Sequence, residues 1–81
     1  MRVTVSFYSY FKDLTGCKET SQELTDGSTL GDLLRKLNAR FPKLEPMEKS
    51  MLVAVGLDYQ NRNYILKEGD VVSLFPPVQG G

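Results

Sequence analysis

The chain has 81 residues, 41% of them hydrophobic and 25% charged, and its ten basic and ten acidic side chains cancel to a formal net charge of zero. That length predicts one domain with a single core, able to bury only about 60–65% of its unfolded surface and too small for a deep substrate cleft. The charge balance argues against nucleic acid or an anionic membrane as partner. With no histidine and one cysteine, Cys17, the chain lacks the usual general base, a structural zinc site and any internal disulfide.

No apolar run approaches the roughly 18 residues of a spanning helix, and Met1-Arg2 leads into an alternating pattern instead of a signal peptide, so a cytoplasmic location is expected. From Arg2 to Tyr8 the apolar Val3, Val5 and Phe7 alternate with Arg2, Thr4, Ser6 and Tyr8, the period of a half-buried strand. Tyr10, Phe11 and Leu14 follow at helical spacing and stop at Gly16, which predicts a short helical turn tucking Phe11 and Leu14 under the sheet. Lys18 to Leu24 is a more polar strand suited to a sheet edge, and Asp26-Gly27 is a turn.

The clearest helix begins at Ser28 or Thr29, either of which can cap it, with Asp32 favourably placed at the positive end of the dipole. Leu30, Leu33, Leu34, Leu37 and Phe41 form its apolar stripe, and Pro42 ends it by excluding helical geometry from the residue before. The polar stretch from Pro42 to Ser50, interrupted by Pro46, reads as a loop with one helical turn. Met51 to Val55 is the next strand and stops at Gly56. Asp58 to Asn63 reads as a turn-rich connection, Tyr64 to Leu66 as a short strand, and Lys67-Glu68-Gly69-Asp70 as a turn. Val71 to Phe75 closes the sheet, with Val72 and Leu74 on one face and Val71, Ser73 and Phe75 on the other.

Strands on both sides of one long helix make an α+β domain over residues 1–75, a mixed sheet packed on that helix. If the intervening elements form a crossover, the first and last strands lie parallel and adjacent, and Tyr8 and Phe75 share the outer face. Residues 76–81 remain as a tail: Pro76, Pro77, Val78, Gln79, Gly80 and Gly81. The prolines end sheet pairing and favour extended geometry, and six residues at about 3.1–3.4 Å each reach on the order of 20 Å. The glycines suit passage through a narrow channel, and mobility is expected from Gly80 onward. Paired carboxylates occur at Asp26 with Asp32 and at Glu45 with Glu48, but in turns and helix ends where acidic residues cap and solvate. Cys17 has no histidine or metal partner, so the terminal carboxylate is the best reactive group in the chain.

Four segments carry a family likeness: Phe7 to Gly16 (FYSYFKDLTG), Ser28 to Pro42 (STLGDLLRKLNARFP), Leu52 to Val55 (LVAV) and Glu68 to Gly81 (EGDVVSLFPPVQGG). On these the chain resembles the small sulfur-carrier proteins of ubiquitin-like β-grasp fold, most of all the small subunits of molybdopterin synthase. The resemblance implies a mixed sheet of four to five strands on one main helix and a flexible Gly-Gly tail. It implies a carrier rather than an enzyme acting alone. An E1-like adenylating enzyme would use ATP and magnesium to activate the Gly81 carboxylate, and a sulfur donor protein would convert it to a thiocarboxylate. The large synthase subunit would then receive the tail, Gly80 easing its passage, and sulfur would pass to a cyclic pterin precursor in molybdenum cofactor biosynthesis. Such carriers join their large subunits as heterotetramers and bind no cofactor tightly. The family's docking surface maps onto Tyr8, Tyr59 and Phe75, followed by Pro76, Pro77 and Val78. Gly56 stands where relatives often have asparagine, and Lys12 where they often have arginine, which puts in doubt the contacts those side chains make in relatives. Three alternatives compete: sulfur carriage to the thiazole of thiamin, a ubiquitin-like modifier conjugated through Gly81, and a plain β-grasp binding module with an idle tail.

Overall fold

The computed structural model describes residues 1–77. It contains β1 (Arg2–Phe7), α1 (Phe11–Thr15), β2 (Glu19–Glu23), α2 (Leu30–Arg40), a 3-10 helix (Pro42–Met47), β3 (Leu52–Val55), β4 (Asp58–Tyr59) and β5 (Val71–Phe75). The five strands form one mixed sheet in the order β2-β1-β5-β3-β4. β1 and β5 run parallel at its centre, with Val5 opposite Val72 and Phe7 opposite Leu74, while the other pairings are antiparallel. The expected parallel neighbours are thus present, and β2 occupies the edge that its polar sequence indicated.

Alternation divides the sheet cleanly. Val3, Val5 and Phe7 of β1, Val53 and Val55 of β3, and Val72 and Leu74 of β5 face the core, where they meet Leu30, Leu33, Leu34 and Leu37 of α2. Burial of each such leucine contributes about 2 kcal/mol. Thr29 is the residue that caps α2: the Asp32 amide donates to Thr29 Oγ1 at 3.2 Å and the Thr29 amide donates to Asp32 Oδ2 at 2.9 Å. This reciprocal box satisfies two donors that a helix start would otherwise leave unpaired. The next two amides find partners on a distant loop, Leu30 on the Tyr64 carbonyl at 2.9 Å and Gly31 on the Arg62 carbonyl at 3.0 Å. Ser28, the other capping candidate, instead donates to the Thr25 carbonyl at 2.8 Å.

Three expectations are corrected. The fourth strand is Asp58–Tyr59, within the stretch read as a turn-rich connection, and Tyr64 to Leu66 is no strand: it contributes one isolated bridge, Ile65 to Thr29. The reason is the Gly56-Leu57 loop, which reverses β3 in two residues so that Val55 pairs with Asp58 and Ala54 with Tyr59. Gly56 has φ 60° and Leu57 does not enter positive φ, the pattern of a type II′ hairpin turn. Glycine is the residue that enters this region without strain. The stretch after Pro42 is more than one turn, a 3-10 helix of six residues that buries Leu44. As expected, α1 buries Phe11 fully and packs a partly buried Leu14 against the core, and Gly16 ends it in left-handed geometry.

Candidate functional site

The outer face of the sheet follows from the register, since directly opposed residues of neighbouring strands share a face. At the end where β1 and β5 both finish, Phe75 lies opposite Leu52, and Tyr8 follows the last residue of β1. One step along, Ser6, Ser73, Ala54 and Tyr59 form a row across four strands, and Thr4 and Val71 form the next. Ser73 and Ala54 are nearly buried although they point away from the core, because the larger side chains around them shelter them. The result is a face with small side chains at its centre and aromatic rings towards its rim.

Tyr8 and Phe75 are in contact: their rings stack with centroids 4.6 Å apart and an interplanar angle of 18°. The Tyr8 amide donates to the Leu74 carbonyl at 3.1 Å, which extends the parallel pairing by one step and fixes the tyrosine beside the tail-bearing strand. Immediately after, Ser9 has φ 55°, so the chain leaves β1 through a left-handed residue and turns into α1. Such a conformation costs a non-glycine residue about 1 kcal/mol, and here it keeps β1 from continuing past Tyr8. Tyr8 remains 44% exposed and Tyr59 69% exposed. Tyr59 belongs to the same face but two strands away from Phe75, on the hairpin that local sequence reading did not find.

The structure therefore gathers Tyr8, Phe75 and Tyr59 on one surface, with Pro76 and Pro77 leaving from its edge. Val78, Gly80 and Gly81, and the expected mobility from Gly80, lie outside the described residues. Beside Tyr8, a shallow depression of about 280 Å³ is lined by Ser6, Lys12, Lys18 and Glu19. Among the described residues no group of three or more cysteine, aspartate or glutamate side chains is placed to hold a metal ion. Their carboxylates do not converge: Asp32 is engaged in capping, where the Thr29 amide and then the Thr29 hydroxyl and Arg35 hold it below its ordinary value. Asp26 is exposed beside the N-terminal ammonium at 3.8 Å. Cys17 is half-buried, with its Sγ 3.8 Å from Thr15 Oγ1. No helix among the described residues is long and apolar enough to cross a membrane.

A family model, the ThiS family, matches residues 5–81, nearly the whole chain and both halves of this site. The chain belongs to the ThiS family. Among its relatives is a molybdopterin synthase sulfur carrier subunit from Chlamydomonas reinhardtii, 32% identical over 84 residues with all of both chains covered. Small archaeal modifier protein 3 from Haloferax volcanii is 29% identical over 92 residues, again with full coverage of both. The crystal structure of SAMP1 from Haloferax volcanii superimposes with a TM-score of 0.90 over all of both chains at 21% identity, a likeness of fold. A complex of subunits 1 and 2 of the molybdopterin-converting factor from Helicobacter pylori contains a chain with TM-score 0.72 and 29% identity, both chains being covered in full. The ubiquitin-like β-grasp architecture expected from sequence is thus present, with five strands.

Proposed function

We propose that this protein is the sulfur-carrier subunit of a molybdopterin synthase, with Gly81 as the carrying residue and the Tyr8–Phe75–Tyr59 face as its docking surface. The observation that carries the reading is the stack of Tyr8 on Phe75 at the point where the tail-bearing strand leaves the sheet. A partner that grips this surface holds the root of the tail at the same time. The relatives named as sulfur-carrier subunits, and the complex formed by the related converting-factor subunits, support the same assignment.

The chemistry asks little of the domain itself. A carboxylate is a poor electrophile, so an E1-like enzyme joins the Gly81 carboxylate to AMP at the expense of ATP, with magnesium, releasing pyrophosphate. Sulfide delivered by a donor protein attacks the acyl carbon, displaces AMP and leaves a thiocarboxylate. That sulfur bonds to a carbon of the pterin precursor in the large subunit as an oxygen leaving group departs, and water then cleaves the resulting thioester, leaving the sulfur on the product and returning the carboxylate for another round. Within this scheme Pro76, Pro77 and Val78 form the extended part of the arm, and Gly80 and Gly81 pass where side chains would not fit.

Incubation with the activating enzyme, ATP and a sulfur source is expected to exchange one terminal oxygen for sulfur, read by intact-mass spectrometry. Deletion of Gly81 abolishes the exchange. An unchanged mass with Gly81 present refutes the proposal. A second reading, a protein modifier joined through Gly81 to lysines, draws on the full-length likeness to small archaeal modifier protein 3. Gly-Gly remnants on lysines of many cellular proteins would support it. Side-by-side reconstitution with the pterin precursor and with the thiazole pathway separates the two sulfur recipients.

A further inference from the structure

Six large apolar side chains are exposed among the described residues: Tyr8, Tyr10, Leu57, Tyr59, Ile65 and Val71. Tyr8, Tyr59 and Val71 lie on the outer face already described, and Leu57 borders it. Leu57 is the most exposed of the six, its accessibility equal to that of an extended chain. It occupies the second position of the two-residue hairpin loop, a site where polar and turn-forming residues are the usual choice. The Gly56 amide donates to the Val71 carbonyl at 2.9 Å, so the hairpin tip is tied to β5 at the end of the face opposite the tail.

The dimensions of the face make this position informative. From Phe75 to Val71 is four residues, about 13 Å, and the four strands β1, β5, β3 and β4 span about 14 Å at the usual spacing. A partner that covers a face of this size also reaches its borders. At one end it meets the tail. At the other, the border side chain offering apolar surface is Leu57, held out on a short, tightly closed loop that loses little further freedom when bound.

We infer that Leu57 is a second anchor of the docking surface, seated in an apolar socket on the large synthase subunit at the far side of the sheet from the tail's entry. The inference rests on the docking reading above. It adds a contact that clamps the domain at two opposed ends, so that its orientation, and with it the direction of the tail, is set by more than the aromatic stack. The full exposure of Leu57 makes the test clean, because the side chain holds nothing else in place.

Affinity for the purified large subunit is measured by calorimetry with the full-length carrier. Leu57→Ser and Leu57→Asp are expected to weaken binding at least tenfold with no change in melting temperature, and Ile65→Ser, an exposed apolar residue off this face, to leave it unchanged. Binding by Leu57→Ser within twofold of wild type overturns the inference while the docking reading stands. Equal weakening by Ile65→Ser also overturns it, since the effect is then general loss of apolar surface. Failure of the wild type to bind removes the docking reading and this inference together.

Discussion

Replacing Tyr8 by alanine separates the two roles that the structure gives this ring. An aromatic side chain carries roughly 200 Å² of surface. With Tyr8 44% exposed, about 110 Å² is covered by the fold and about 90 Å² is left for a partner. At about 25 cal/mol per Å², the covered part corresponds to about 2.8 kcal/mol, of which about 2 kcal/mol is lost once the alanine methyl is allowed for. The exposed part corresponds to about 2 kcal/mol of docking energy, or roughly a 30-fold rise in Kd. Tyr8→Phe is expected to preserve both, because the stack on Phe75 remains and the Tyr8 hydroxyl has no hydrogen-bond partner among the described residues. A double-mutant cycle with Phe75→Ala should return a coupling of about 1 kcal/mol in stability. Urea unfolding measures the first quantity, and titration of the large subunit the second. If Tyr8→Ala unfolds more easily but binds within twofold of wild type, the outer face is not the docking surface. If stability is unchanged, the stacked geometry is refuted.

Thr29→Ala should cost about 1 kcal/mol in urea unfolding, while Thr29→Ser should be nearly neutral, because serine can replace the hydroxyl that accepts the Asp32 amide. Asp32, whose carboxyl is held below its ordinary value of 3.8 chiefly by the Thr29 amide, contributes stability that is present above that value and is lost as acid protonates the folded carboxylate below it. Wild type should therefore lose more stability than Asp32→Asn as pH falls from above 3.8 towards 2, and parallel acid unfolding curves for the two proteins would contradict this assignment. Gly56→Ala should destabilise by about 1 kcal/mol through strain at φ 60°, and thermal melts against wild type test the hairpin assignment.

Much of this fold is legible along the chain because the forces involved are local. The leucine stripe of α2, its Thr29 cap, its stop at Pro42, and the alternation of β1 and β5 each depend on side chains a few residues apart. The same alternation put Tyr8 and Phe75 on the outer face, where their rings stack. The stretch from Asp58 to Leu66 is not legible along the chain because its periodicity is weak: β4 is two residues long, too short to show alternation, and owes its strand geometry to pairing with β3 across a tight turn. Ile65, in a run rich in β-forming side chains, was drawn instead to the start of α2, where the neighbouring carbonyls of Tyr64 and Arg62 accept the amides of Leu30 and Gly31.

The sequence by itself determined the helix and the central strands, since propensity and period are properties of near neighbours. Only the tertiary structure decided that Tyr8 stacks on Phe75, that Tyr59 joins them from a separate hairpin, and that Leu57 stands free at the opposite end. Those placements come from strand order and register, which are set by core packing between residues up to about seventy positions apart.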